Sequence, residues 1–290
     1  MIDTKPLPVF NNRHLRFVFV AFLFSAAIAD TGRAAVKVFT HWPFFLPAAT
    51  HLGVAFIAIS TSWVYWARNI GDGPQLKDIF SREYLLLVLD LMLVIIYIGV
   101  AETVELPRAD PRAALPTPSA VPESLLLSLA YFVYFVWDLV HDVYARHRTA
   151  AQAPPAATVA TEAEAEAEAG ADAAADLAPL PPTLAQILQA AVVRSAASLI
   201  CCLLALLIVV TARGASARST LGVCLLNLAE LGNLLLFRSL KAAEYQYDSS
   251  LHPAYRENED RYADVRARMR VCTIVSSAVY ATALFYVRAL

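Results

Sequence analysis

Residues 84–104 read YLLLVLDLMLVIIYIGVAETV, and this stretch decides the fold. As an α-helix that rises ~1.5 Å per residue, a run of this length crosses a bilayer core of ~30 Å. Its side chains are almost all apolar, and its only charged residues are Asp90 and Glu102. The run therefore predicts a membrane-spanning helix that carries an acid, Asp90, within its apolar length.

Six further apolar blocks share this length and composition. Hydrophobic residues make up 58% of the 290-residue chain and its mean hydropathy is +0.53, whereas about 45–50% of a soluble chain is apolar. Tryptophan and tyrosine cluster at block ends, as they do at membrane interfaces. The sequence predicts an all-α, polytopic transmembrane helix bundle of about seven spans. The other six blocks lie near residues 17–39, 44–66, 124–144, 184–212, 220–237 and 271–287.

The first block has two interpretations. Residues 17–29, FVFVAFLFSAAIA, follow a short basic arm and end in small residues, which is the pattern of a signal peptide cut after Ala29. The alternative is a first membrane helix that continues to about Phe39. We favour the helix; cleavage would leave six spans.

The distribution of Lys and Arg predicts the orientation. With the N-terminus in the cytoplasm, cytoplasmic segments carry 15 of the 23 Lys and Arg residues, and the opposite segments carry 7. The remaining one, Arg194, lies within a predicted helix. Since positive residues concentrate on the cytoplasmic side, the count favours a cytoplasmic N-terminus and an external C-terminus. The identity of the membrane does not follow from this count.

The chain divides into membrane and cytoplasmic segments. Residues 1–16 form a cytoplasmic basic arm, residues 17–146 hold spans one to four, and residues 184–290 hold spans five to seven with a charged cytoplasmic loop at 238–270. Residues 147–183 are rich in Ala, Glu and Pro, and this composition predicts a disordered, acidic cytoplasmic linker. Its 154–183 part is either a docking segment for a cytoplasmic protein partner or a tolerated low-complexity insertion.

Several function classes are disfavoured by composition. The formal charge of −2 gives no basic surface for nucleic acid, and the chain has no P-loop, dinucleotide-binding glycine motif, zinc-ligand spacing or nucleophile elbow. We therefore expect no cofactor and no metal. The expected partner is the lipid bilayer, and the sequence leaves open whether the chain forms a homo-oligomer within it. The four cysteines all lie in apolar blocks, where we interpret them as small packing residues.

Ionisable residues inside the spans are the candidate functional groups. Each costs about 2.5–3.5 kcal/mol in hydrocarbon, so it needs a partner, water or a function. Counting ~1.5 Å per residue from the block ends places three acids and one base at one level near the cytoplasmic side. This set is the candidate transport or ion-pair cluster: Asp90, Asp138, Glu230 and Arg194.

Further polar residues form secondary candidates. Three of them share one face of the fourth span in YFVYFVWDLVHDVY (131–144), and two asparagines flank Glu230 on the sixth. Each has a plain structural alternative, such as a wet interface, a packing histidine or an i, i+3 ion pair between Asp30 and Arg33. The secondary set is Asp138 with His141 and Asp142, Asn227 and Asn233 with Glu230, and His51, Asp30 and Arg33 in the opposite half.

Three functions fit these residues. The leading hypothesis is a transporter or channel for protons, cations or a small solute that uses the intramembrane carboxylates. The second is a non-catalytic scaffold, receptor or assembly protein whose buried charges fix helix pairing. The third is a lipid-modifying membrane enzyme at Asp138, His141 and Asp142. An enzyme is the least favoured of the three.

Overall fold

The structure, a computed structural model, describes residues 12–40, 44–69, 82–104, 117–152, 195–214, 216–250 and 259–290. All regular structure in these ranges is helical: seven α-helices and one 3-10 turn at Ser216–Arg218. The helices are α1 (Asn12–Thr40), α2 (Leu46–Asn69), α3 (Arg82–Glu102), α4 (Val121–Gln152), α5 (Ala196–Thr211), α6 (Thr220–Ser250) and α7 (Glu259–Ala289).

The predicted all-α membrane helix bundle is confirmed. Within the described residues, six helices are long and apolar enough to cross a membrane. α5 is a shorter apolar helix of 16 residues, and the first part of the fifth predicted span, residues 184–194, lies outside the described residues. Each of the seven helices falls on one of the seven predicted spans.

Local sequence explains where several helices begin. Pro47 and Pro122 lie in the first turns of α2 and α4, where a proline loses no intrahelical hydrogen bond. At the start of α6, the backbone N–H of Gly222 donates to Ser219 Oγ over 2.9 Å, which satisfies one of the unpaired donors of a helix N-terminus. Side-chain capping thus fixes the start of α6.

The helices differ in how deeply they lie in the bundle. α6 packs against α2, α5 and α7, α4 packs against α3 and α5, and α1 packs against α2 and α3. The apolar windows of α1 and α7 are only 28% buried, whereas that of α6 is 67% buried. Helices α2 to α6 therefore surround the core, while α1 and α7 lie on its periphery.

The bundle has two ends, which side-chain contacts define. At the basal end, where α1 begins, Phe24 of α1 contacts Trp63 and Trp66 near the end of α2. At the distal end, where α1 finishes, Val38 packs in a cluster with Leu52 of α2. Side-chain hydrogen bonds at the basal end join the ends of α2, α4 and α6 to the beginnings of α3 and α5.

The sixth helix departs from the predicted segmentation. The sequence ends span six at Phe237 and assigns 238–270 to a cytoplasmic loop, but α6 continues to Ser250 and α7 begins at Glu259. The apolar run ends at Arg238, yet Lys241 is buried and Arg238 half-buried inside the bundle. Both basic side chains find partners within the protein.

Other segment predictions meet the edge of the described residues. α4 continues to Gln152, six residues into the predicted 147–183 linker, and residues 153–194 lie outside the described part of the chain. α1 begins at Asn12, so the end of the predicted basic arm is helical. The docking and disorder predictions for 154–183 stay predictions.

Gly232 of α6 gives a test of the packing. A Cβ atom on Gly232 would lie 3.0 Å from the Ser276 carbonyl oxygen and 3.0 Å from the Tyr280 nitrogen, both in the backbone of α7. Because neither backbone atom can move alone, we expect Gly232→Ala to lower the free energy of unfolding by about 1–3 kcal/mol, measured in detergent micelles.

Gly53 of α2 is the matched control. A Cβ atom there meets nothing within 4 Å, and alanine is favoured over glycine in helices by up to about 1 kcal/mol. Gly53→Ala should leave stability unchanged or raise it. Equal effects of the two substitutions would contradict the close approach of α6 and α7.

Candidate functional site

Buried and half-buried polar side chains occupy three levels of the bundle. The basal layer contains Asp90, Asp138, Arg238 and Lys241. The central cluster contains Ser124, Tyr131, Glu230 and Asn233, and the distal cluster contains Thr50, His51, Thr103, Glu123 and Asn227. Helix α6 contributes to all three levels: Asn227, Glu230, Arg238 and Lys241 lie within about 80° of one another around its axis, at 100° per residue.

Asp138 forms a buried ion pair in the basal layer. Lys241 Nζ donates to Asp138 Oδ2 over 2.5 Å, and Ser198 Oγ donates to the same oxygen over 2.8 Å. The side chains of Asp138 and Lys241 are 7% and 4% exposed. This group joins α4, α5 and α6, and its positive partner is Lys241. Arg194 lies outside the described residues.

Asp90 is held by two tryptophans. Trp137 Nε1 donates to Asp90 Oδ1 over 3.1 Å, and Trp66 Nε1 donates to Oδ2 over 3.4 Å. Indole N–H groups are donors only, so both bonds favour the carboxylate as acceptor. The carboxyl group of α3 is thereby fixed between α2 and α4.

Arg238 lies among rings and hydroxyl groups. Its Nε donates to Thr61 Oγ1 over 3.1 Å, and Nη2 donates to Ser62 Oγ. The guanidinium carbon lies 5.4 Å from the centroid of the Tyr134 ring and 5.8 Å from that of Tyr65, within cation–π range. Within the described part of the chain, no carboxylate pairs with Arg238.

Glu230 contributes the carboxyl group of the central cluster. Its side chain is fully buried, and neither carboxyl oxygen has a hydrogen-bond partner among the residues that the structure describes. The side chains of Ser124 and Asn233 lie beside the carboxyl group without reaching hydrogen-bond geometry, and Tyr131 lies within electrostatic range. A carboxyl group with this burial and no cation is costly in its charged form.

His51 and Glu123 form a second buried pair, in the distal cluster. His51 Nδ1 lies 3.3 Å from Glu123 Oε2, and both side chains are at most 1% exposed. The other ring nitrogen, Nε2, lies 3.0 Å from Thr103 Oγ1 and 3.2 Å from the Val100 carbonyl oxygen. Both nitrogens therefore have partners, and the cluster links α2, α3 and α4.

Asn227 extends the distal cluster to α6. With its amide oriented to match its neighbours, the nitrogen donates to Glu123 Oε2 over 3.3 Å. The amide oxygen then accepts from Thr50 Oγ1 over 3.0 Å and from the His51 backbone N–H over 3.2 Å. The Asn227 amide thus contacts both the Glu123 carboxylate and the backbone of His51, the residue that pairs with Glu123.

The other secondary candidates lie apart from these clusters. His141 is exposed and its ring stacks on Trp137 at a centroid distance of 5.1 Å, whereas Asp138 is buried, so these two side chains lie in different surroundings. The side chain of Asp142 is outside the described set. Asp30 and Arg33 pair with each other over 2.9 Å on the exposed face of α1, which was the structural alternative for them.

The single level predicted for the three acids is replaced by two. Glu230 lies eleven residues before Lys241 on α6, about 16.5 Å along the helix axis. Asp138 pairs with Lys241 and therefore lies at the basal level. The two acids therefore lie at different levels of the bundle.

Sequence reasoning missed three charged residues of these clusters, and also their polar members Ser124, Tyr131, Thr50 and Thr103. Glu123 was placed just before span four, and Arg238 and Lys241 just after span six, since each adjoins the limit of an apolar run. Lys241 and Arg238 follow Glu230 by eleven and eight residues and lie on the same face of one continuous helix. This spacing is the signal that could have identified them.

The donor sets do not resemble a transition-metal site. Among the described side chains, no three His, Cys, Asp or Glu residues lie together as metal ligands. The clusters can accept, donate and transfer protons, and the central one presents oxygen atoms to a cation. Comparison of the chain with protein-family models, with curated proteins and with solved structures gave no match.

Proposed function

We propose that this integral membrane protein moves protons or another small cation across its membrane, and that Glu230 is the group that carries the ion. One observation supports this assignment above the others: Glu230 is fully buried in the middle of a span, without a hydrogen-bond partner among the described residues. Acids in such positions mark ion and proton pathways in membrane proteins.

The contrast with Asp138 strengthens the proposal. A carboxylate whose only role is to fix helix pairing gains from a cation and hydrogen bonds, as Asp138 does from Lys241 and Ser198. Glu230 has neither in the described part of the chain, although α6 also carries Lys241. Its position therefore favours a role that needs an exchangeable charge.

Groups above and below Glu230 provide stations for an ion. Asn227 of the distal cluster lies three residues away on α6, about 4.5 Å along the axis. Lys241 of the basal pair lies eleven residues away, about 16.5 Å along the axis. Direct proton transfer needs hydrogen-bond reach or one bridging water, so the longer basal step requires water or a change in helix packing.

A second candidate function has its own supporting observation. The Asp138–Lys241 pair, the two indole bonds to Asp90 and the His51–Glu123 pair each join different helices. Such links suit a scaffold or assembly protein whose charges specify helix pairing. That function requires no ion movement.

Flux measurements separate the two functions. Purified protein is reconstituted in liposomes that contain a pH-sensitive dye, and a potassium diffusion potential is imposed with valinomycin, with a Na⁺ gradient in a parallel series. We expect dye responses well above those of protein-free liposomes. Responses equal to the protein-free level in both series would reject transport and leave the scaffold function.

The proposed orientation places the N-terminus in the cytoplasm. Because Arg238 and Lys241 lie inside the bundle, they no longer count as loop residues, and the distribution of basic residues becomes 13 against 7. Basic residues are therefore still more numerous on the proposed cytoplasmic side. In this orientation the basal layer faces the cytoplasmic leaflet, and the distal cluster faces the opposite side.

A further inference from the structure

The central cluster presents five oxygen atoms that no described residue satisfies. They are both carboxyl oxygens of Glu230, the hydroxyls of Ser124 and Tyr131, and the amide oxygen of Asn233. All four side chains are at most 2% exposed. Buried polar atoms in native proteins are nearly always paired, so the two carboxyl oxygens of Glu230 and the three further oxygen atoms of this cluster indicate a ligand.

The chemistry of these atoms favours a hard cation. The amide nitrogen of Asn233 donates one of its two hydrogens to the Cys201 carbonyl oxygen over 3.0 Å, and the amide oxygen has no partner among the described residues. Carboxylate, amide and hydroxyl oxygens are the ligands of hard metal ions. They offer no sulfur or imidazole, which softer metals prefer.

The charge of the cluster selects a monovalent ion. Glu230 is its one carboxyl group, and Arg238 and Lys241 lie about 12 and 16.5 Å away along α6. The titratable groups of the neighbouring helices in electrostatic range of Glu230 are Tyr131 of α4, Cys201 of α5 and Tyr280 of α7. One positive charge therefore neutralises the site, whereas a divalent ion would leave a net charge in a medium of low dielectric constant. The Tyr131 ring packs on Phe237 at 5.0 Å, and a closely packed site favours a small ion.

We propose that the central cluster binds one Na⁺ ion, in competition with the proton of Glu230. The inference rests on the proposed function, since it names the cation that Glu230 carries. Binding of Na⁺ to the carboxylate releases the carboxyl proton, so one positive charge replaces another and the net charge of the cluster is conserved. The apparent affinity for Na⁺ therefore rises with pH.

Carbodiimide labelling tests the site without a flux measurement. Dicyclohexylcarbodiimide reacts with protonated carboxyl groups in apolar surroundings, and peptide mass spectrometry locates the adduct. We expect labelling at Glu230 in choline chloride and at least about tenfold slower labelling in NaCl, since a site occupied by Na⁺ has no carboxyl proton. The labelling rate in choline chloride of equal ionic strength controls for reagent access.

The outcomes separate the two proposals. Equal labelling of Glu230 in NaCl, LiCl, KCl and choline chloride overturns the Na⁺ site, and proton flux in the same preparation then still supports the proposed function. Protection by NaCl with no flux of either ion supports the site and rejects transport. Protection by KCl but not by NaCl overturns the choice of ion.

A hydroxyl deletion tests the other ligands. Ser124→Ala removes one oxygen and leaves Glu230 intact, so we expect the Na⁺ concentration for half-protection to rise about tenfold, which corresponds to about 1.4 kcal/mol. Ser128→Ala, one turn further along α4, is the matched control and should change nothing. An unchanged midpoint in Ser124→Ala would contradict the proposed coordination.

Discussion

Glu230→Gln should reduce ion flux in proteoliposomes by about 100-fold or more, the range in which loss of a proton-transfer group acts. Glutamine keeps the size and polarity of the side chain but cannot exchange a proton or neutralise a cation. Because Glu230 forms no hydrogen bond with the described residues, its replacement breaks no bond among them. We therefore expect the variant to stay folded, with a melting temperature at or above that of the unmodified protein.

The control is an acid outside the clusters. Glu102, at the distal end of α3, is exposed, and Glu102→Gln should keep full flux and stability. Full flux in Glu230→Gln would contradict the role of Glu230. A large fall in melting temperature with lost flux would instead indicate that Glu230 acts in packing.

Lys241→Met should be the most destabilising single substitution among the buried pairs. Methionine preserves the apolar stem but leaves the Asp138 carboxylate without its cation, and breaking a buried pair on one side costs about 3–5 kcal/mol. The unfolding free energy, measured by denaturation in mixed micelles, should fall by that amount.

A double variant and a surface lysine provide the controls. Asp138→Asn combined with Lys241→Met removes the uncompensated charge and keeps an acceptor for Ser198, so most of the stability should return. Lys37 of α1 is exposed, and Lys37→Met should change stability by less than about 0.5 kcal/mol. Equal losses in the single and double variants would show that Lys241 acts by packing and not by charge.

The fold was largely readable from the sequence because the membrane imposes it. A run such as 84–104 has one stable solution in hydrocarbon, a helix of the length observed for α3. The aromatic residues at the end of α2 also marked a bundle end, where Trp63 and Trp66 contact Phe24. Apolar length alone could not show which helix neighbours which.

The candidate site was only partly readable because hydropathy ends a span at the first charge. Lys241 was assigned to a loop on this ground, although Asp138, 103 residues earlier, makes its burial favourable. Glu123 was excluded in the same way, and its partner His51 lies on another helix. Pairings between distant residues depend on helix neighbours, which one sequence does not specify.

The central claim is that Glu230 exchanges a proton or cation while it lies buried between the two membrane faces. Infrared difference spectroscopy after a pH jump, on reconstituted protein, observes the carbonyl stretch of a protonated carboxyl group directly. The account predicts a reversible carboxyl band that changes with bulk pH and is absent from Glu230→Gln but present in Glu102→Gln. Identical difference spectra for the unmodified protein and Glu230→Gln would show that Glu230 does not exchange, and would contradict the account.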